Sequence, residues 1–399
     1  MTDFSPDAHF PLTIHLANSG RKWIGEIAHV AILYERLDAL GHRPWIICRR
    51  ESALHHHAQT HAWRHLALTF SGSFSLLSDT ADLRAWRALA RREPPAIVHC
   101  HRGKDHWGGL FIARQAGCPL IRTRHVVMPV RRHPLNRWFY LRATRAIISV
   151  SAAARASLGP WADRHPFERI ILAAVDLGRF HPGLRLRAPL RGRGAPGAEA
   201  APLDPVRDSP LDQIWFGLLG RFQGVKGHKF FLQAAARVAA HCPAARFMLA
   251  GQGSAGQLAK FRALAAELGI ADRVWITGIL EDLPRVLASL DVGVIASVGS
   301  EGSSRAALEM MASGLPLVAT RVGGIPDLVP SEAFGRLVPP RDPEALAAAM
   351  LAWAADPEAR AFAGRLARDH VERHHSPERW IAETLAVYRL ARGEPPDRP

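Results

Sequence analysis

Short apolar runs recur along the first half of the chain, each separated from the next by an amphipathic stretch and a polar or glycine-bearing turn. "PLTIHLA" (11–17), "RPWIICRR" (43–50), "AIVHCH" (96–101), "PLIRTRH" (119–125) and "AIISVS" (146–151) are strand-length and predict a series of buried strands. "IAHVAILYERLDALGH" (27–42) carries its apolar residues at helical spacing and stops near Gly41, so a helix is expected there. Strands alternating with helices predict a parallel sheet covered on both faces.

The pattern breaks over 183–212, where Pro, Gly, Ala and charge crowd together with no sustained period, as in a linker. It resumes with "IWFGLLG" (214–220), "ARFMLAG" (245–251), "RVWITG" (273–278), "DVGVIAS" (291–297) and "LPLVAT" (315–320). Helical stretches intervene, notably 227–241 and 254–269. The reading is α/β: a first Rossmann-like domain over 1–182, the linker, a second over 213–375, and a terminal segment over 376–399. Two doubly wound domains facing across a cleft are expected, with ligands at the carboxyl ends of the strands. No repeat of 20–50 residues is apparent, which excludes a solenoid.

Composition narrows the class. At 399 residues, 48% hydrophobic and 22% charged, the chain is long enough for two real cores. It has no apolar run of about 18 residues, and its opening lacks a basic region followed by a long apolar stretch, so neither a membrane span nor a signal peptide is expected. Cys48, Cys100, Cys118 and Cys242 form no Cys-x-x-Cys pair, so buried thiols in a reducing cytoplasm are expected rather than a disulfide framework or zinc cluster.

Charge is uneven. Of the net +15, residues 1–180 hold 25 Lys and Arg against 13 Asp and Glu, leaving 26 against 23 for the rest. An anionic partner is therefore expected on the first half. The isoelectric point of about 10.9 raises nucleic acid as one such partner, but no RNA- or DNA-binding module is recognisable and no specific nucleic acid is expected.

The chemistry concentrates in two strand-end turns of the second half. "EGSSRAALEMMASGLPLVAT" places Glu301 and Glu309 eight residues apart around a turn, with a helix starting near Ser304 and Ser303 or Ser304 as its N-cap. A helix start preceded by Gly and Ser favours phosphate, and nearby carboxylates favour hydroxyls, a mixture that a nucleotide-sugar offers. Taken alone, a pair of acids at this spacing fits a solvated loop and helix surface better than a ligand site. "GRFQGVKGH" (220–228) sets Arg221 and Lys226 among Gly220, Gly224 and Gly227, two cations suited to a diphosphate. Gly253, in "AGQGS", adds a weaker glycine signal.

These strings, with "RVWITG", "DVGVIAS" and "GRLVPPRDPEALAAAM", resemble the carboxy-terminal domain of glycosyltransferase family 4, retaining enzymes of the GT-B fold. The resemblance runs in order over about 215–350. It implies that Arg221 and Lys226 hold a donor diphosphate, Glu309 the ribose hydroxyls and Glu301 the transferred sugar, with Gly302 and Ser303 amides nearby. The loop departs from the commoner Glu-Gly-Phe-Gly pattern by having Ser303 and Ser304. The resemblance also implies that the terminal helix, read over 376–391, crosses back to the first domain, although its apolar spacing fits ordinary packing too.

In the first domain the resemblance places Gly20 in a loop near donor phosphate and acceptor, and His125 against the transferred sugar. Gly20 also fits an ordinary tight turn. The run His55, His56 and His57 reads as solvated. Arg102 and Lys104, beside His101, make a second basic strand end that suits an acceptor phosphate. Over 131–147, Arg131, Arg132 and Arg137 interleave with Trp138 and other apolar residues. That mixture fits either an anionic membrane surface or a solvated helix with its far side in the core. The expectation is a nucleotide-sugar-dependent transferase acting on a lipid-linked or envelope glycan acceptor, in the cytoplasm and peripheral to the membrane. The alternatives are an enzyme of the same fold with a soluble acceptor and a basic nucleic-acid-binding protein. No Asp-x-Asp pair occurs, so no metal cofactor is expected.

Overall fold

A computed structural model describes residues 11–72, 75–185, 213–299 and 301–394, which leaves 186–212 of the expected linker outside the described residues. The chain divides into two compact units: one runs to Ile171 and includes the segment from Trp380 onward, and the other spans Leu172–Arg379.

The first unit holds β1 (Thr13–Asn18), β2 (Arg43–Arg49), β3 (His65–Leu68), β4 (Ile97–Cys100), β5 (Leu120–Arg124), β6 (Ala146–Ser149) and β7 (Glu168–Ile170). They form one parallel sheet in the order β3-β2-β1-β4-β5-β6-β7. Every residue of β1 beyond Thr13 is buried, as is all of β4, the continuous apolar pattern of strands covered on both faces. The sheet changes winding direction between β1 and β4, where Ala17 pairs with Cys100.

The second unit repeats the design with β8 (Ile214–Leu219), β9 (Ala245–Ala250), β10 (Val274–Thr277), β11 (Val292–Ile295), β12 (Leu317–Thr320) and β13 (Gly335–Val338). Their order is β10-β9-β8-β11-β12-β13, all parallel, with the reversal between β8 and β11. Phe216, Phe231 and Phe247 are fully buried at its centre, the Phe247 ring 5.8 Å from Phe216 and 6.1 Å from Phe231. Ligands of open parallel sheets bind at such reversals, beyond the strand carboxyl ends.

Residues 172–182 pack with the second unit, not with the first as their place before the linker suggested. The Val175 amide donates to the His375 carbonyl at 3.1 Å, and Phe180 is buried in the second core. Arg368 fastens the segment by donating to the carbonyls of Phe180 and Leu177.

The terminal helix Pro377–Arg392 places Tyr388, fully buried, in the first unit. Its hydroxyl lies 2.7 Å from His99 Nδ1, while His99 Nε2 lies 2.7 Å from Thr123 Oγ1. Both imidazole nitrogens are thus satisfied inside the core. Tyr388→Phe strands one of them and should cost about 1–3 kcal/mol. A urea titration followed by tryptophan fluorescence checks this; an unchanged midpoint contradicts it.

Candidate active site

The reversal in the second sheet brings together two loops far apart in sequence. After β8 the chain turns through Gly220, Arg221 and a 3-10 turn, Gly224–Lys226, before the helix His228–His241. Gly227 carries φ +71°, and a Cβ there would lie 1.8 Å from the Ala296 carbonyl oxygen, so only glycine permits this approach to the end of β11. The Val298 amide then donates to the Val225 carbonyl at 2.8 Å. As a result Lys226 Nζ donates to Glu301 Oε1 at 2.5 Å. The same oxygen accepts from Ser297 Oγ at 2.5 Å.

Glu301 is buried, 4% exposed, and its backbone is fixed as firmly as its side chain. Its carbonyl accepts from the Gly324 amide, and Gly323, φ +55°, passes so close that a Cβ would stand 1.9 Å from it. Gly302 and Ser303 follow, partly buried. Ser304 is the N-cap of the helix Arg305–Ala312 but makes no side-chain cap bond. Glu309 is buried on that helix with Arg305 Nη2 at 3.4 Å. Burial raises its carboxyl above the ordinary range, opposed by the charges of Arg305 and Arg179. Arg221 is half-buried on the Lys226 loop.

Gly251 and Gly253 brace that loop from β9. A Cβ on Gly251 would meet the Gly220 carbonyl at 2.0 Å, and one on Gly253 would meet Phe222 at 2.8 Å. Gly253 therefore serves packing between two strand-end turns.

At the first unit's reversal the structure builds a charged network. Asp105 accepts from the Arg102 amide at 2.8 Å and the Ser19 amide at 3.1 Å, joining the loops after β1 and β4. Glu26 accepts from Asn18 Nδ2 at 2.7 Å and lies 3.4 Å from Arg102 Nε. Arg122 donates to the Arg102 carbonyl and contacts His106 Nδ1 at 2.6 Å. The bare side of Gly20 faces Asn18 and Arg102 at 2.8 and 2.9 Å, so its missing side chain serves this network. Lys104 pairs with Asp79 at 2.8 Å; both cations of the expected phosphate site thus have acidic partners. His125, at the end of β5, lies 3.1 Å through Nε2 from His101 Nδ1.

Comparison with known proteins decides the family. Residues 213–356 match the family model described as "Glycosyl transferases group 1", and residues 27–170 match "Glycosyltransferase Family 4". A D-inositol 3-phosphate glycosyltransferase of Saccharomonospora viridis is 30% identical over 321 residues, covering 74% of this chain and 70% of the relative. The chain is a family 4 glycosyltransferase. A lipopolysaccharide core mannosyltransferase, LpcC, of Rhizobium leguminosarum is 25% identical over 315 residues, 78% of this chain and 83% of the relative. The crystal structure of Anabaena Alr3699/HepE with UDP and glucose superposes with a TM-score of 0.75 at 18% identity, covering 94% and 99% of the two chains. The two parallel sheets and this likeness give the glycosyltransferase its GT-B fold, and its family makes it a nucleotide-sugar-dependent enzyme.

The glycosyltransferase also carries a basic groove on its first unit. The helix Pro134–Trp138 runs into a π-helical turn, Phe139–Ala143, that turns Phe139 and Tyr140 inward and leaves Arg131, Arg132 and Arg137 exposed. Arg132, Arg137, Arg142, Arg164, Trp138 and Trp161 are among the residues that line its volume of about 890 Å³. Trp138 is 37% and Leu135 50% exposed. No helix among the described residues is long and apolar enough to cross a membrane.

Sequence reading missed Glu26, Asp105 and Arg122. Asp105 alone left a signal, three residues past Arg102 at a helix start, where an acid completes a capping box. Burial pushes its carboxyl from 3.8 up to about 8 against the pull of Arg122. Between those values the folded glycosyltransferase keeps a proton that the unfolded chain has lost, so stability falls as pH rises. Buried His101, held well below 6.5, acts in the opposite sense, but only below that value. From pH 6.5 to 8, Asp105→Asn should therefore flatten the decline in denaturation midpoint; parallel wild-type and variant profiles contradict this.

Proposed function

We propose that the second unit holds a nucleoside diphosphate sugar, and that the enzyme transfers the sugar with retention of anomeric configuration to a hydroxyl of a lipid-linked envelope glycan. The observation that carries the donor half is the Lys226–Glu301 contact at 2.5 Å beside the helix bearing Glu309. An ammonium has three donors; with one on Glu301, two remain for diphosphate oxygens. Arg221, with its forked donors, shares the charge that grows on the leaving diphosphate. The diphosphate is thereby met by side chains, in keeping with the lack of an Asp-x-Asp pair.

Glu309, buried beside Arg305, takes the ribose hydroxyls, and Glu301 takes hydroxyls of the sugar from a fixed position. The amides of Gly302, Ser303 and Ser304 stand at a helix start favourable to phosphate. His125 contributes a hydroxyl contact of the kind the family resemblance implies. Catalysis then consists of leaving-group stabilisation and alignment of the acceptor hydroxyl. UDP and glucose in the Anabaena relative support a nucleotide-sugar donor of this kind.

Lys226→Ala should lower kcat by about 100-fold or more, the scale of losing one preorganised charge donor. Glu309→Ala should chiefly raise the KM for donor. Steady-state kinetics with UDP-, GDP- and ADP-sugars, beside thermal melts showing intact folding, test both; wild-type kinetics in both variants would refute the assignment.

The acceptor half rests on the basic groove, whose arginines and exposed Trp138 suit anionic headgroups at about 1 kcal/mol per cation. The name of the Rhizobium relative supports an envelope acceptor. In flotation with phosphatidylglycerol vesicles, wild type should rise with lipid while an Arg131, Arg132 and Arg137 to Glu variant stays behind. Equal flotation of the two counts against the membrane reading and favours a soluble acceptor.

A further inference from the structure

Three imidazoles converge on one point of the first unit. His29 comes from the helix Gly25–Ala39, His101 from the end of β4 and His125 from the end of β5. One ring nitrogen of each lies within 4.8 Å of the other two. The His29 ring sits edge-on to His125 at 4.8 Å and to His101 at 5.6 Å. Trp380 closes the far side of His29 at 4.8 Å.

The geometry points to a site for one divalent ion of the zinc class, held by His29, His101 and His125. His101 Nδ1 and His125 Nε2 stand 3.1 Å apart. Two nitrogens about 2.0–2.1 Å from a tetrahedral ion are separated by about 3.3 Å, so this pair is already spaced as two ligands. They can share only one proton; when that proton moves to the other nitrogen of its own ring, both rings stay neutral and each offers a lone pair. His101 is 2% exposed, and in the tautomer that frees Nδ1 its proton sits on Nε2. His29 needs to close by only part of the 4.8 Å span, from a helix position that is half-buried.

Three nitrogens leave a fourth position for water. Arg102 and Arg122 oppose a further positive charge here, and Glu26, 3.4 Å from Arg102 Nε, offsets part of it. The ion would clip the first helix of the unit to the ends of two strands. A ligated His125 keeps one N–H, so the site is compatible with the hydroxyl contact proposed above. Ion binding itself does not depend on that reading, and the sequence alone held no trace of it.

The test uses the full chain without a histidine tag, stripped with chelator and titrated with Co²⁺. Expected are the intense visible bands of tetrahedral cobalt at one equivalent, displaced by Zn²⁺, and a rise in Tm with Zn²⁺. His29→Ala and His101→Ala should each weaken binding more than about 100-fold, beyond the usual cost of losing an outer-sphere partner. A His55, His56 and His57 to Ala variant should bind as wild type. Absence of saturable one-to-one binding by the wild type overturns the proposal without any variant, as do bands that survive His29→Ala in a chain of unaltered circular dichroism, or bands lost only in the His55–His57 variant.

Discussion

One carboxylate holds the strand-end loops of the second unit in register. Glu301 ties its side chain to the loop after β8 and its main chain to the turn after β12, and a glycine lets each of those segments come close, Gly227 against Ala296 and Gly323 against Glu301. At Gly227 and Gly323 a methyl group would overlap a carbonyl oxygen, at 1.8 and 1.9 Å. The strands set the spacing; the glycines let three loops close to hydrogen-bonding distance. The charge pair is then preorganised by backbone, the condition under which a polar site acts without rearranging itself.

The two units share a topology and differ in what fills their reversal points. In the second, a lysine and an acid meet beside a helix start. In the first, Glu26 and Asp105 are set against Arg102 and Arg122, with neutral imidazoles alongside, while the excess cations stand outside around the groove. Lys104 illustrates the difference: it reads as a phosphate-seeking cation in sequence, but Asp79 takes its charge. Fold likeness alone would not separate these cases, since side chains grafted on equivalent turns decide the chemistry.

What sequence could reveal follows the physics of burial. Central strands such as β1 and β4 announce themselves because both faces are covered and nearly every residue is apolar. The strands that pattern reading missed, β3, β7 and β13, lie at sheet edges, where exposed or half-buried positions break up the apolar run. Among the candidate site residues, Arg221, Lys226 and Glu301 stand out in the sequence because they lie in glycine-marked turns, and Glu309 by its spacing from Glu301. The meeting of Lys226 with Glu301, 75 positions apart, required the strand order. His29, His101 and His125 sit in unrelated contexts among 21 histidines; the strand-end place of His125 marks that residue, but no local signal joins the three. The boundary near 171 was misplaced because Val175 and Phe180 are apolar enough for either core.

The seating of Tyr388 beside His99 has a consequence for biosynthesis. A nascent chain emerges from its amino end, and the sheet containing His99 has its last strand, β7, at Glu168–Ile170, well before Tyr388, which lies 289 positions after His99. The first unit is therefore completed only after Leu172–Arg379 has its whole complement, because Trp380 and Tyr388 follow that span. Until Tyr388 has left the ribosome, His99 lacks one of its two partners and the core around it stays open to chaperones and proteases.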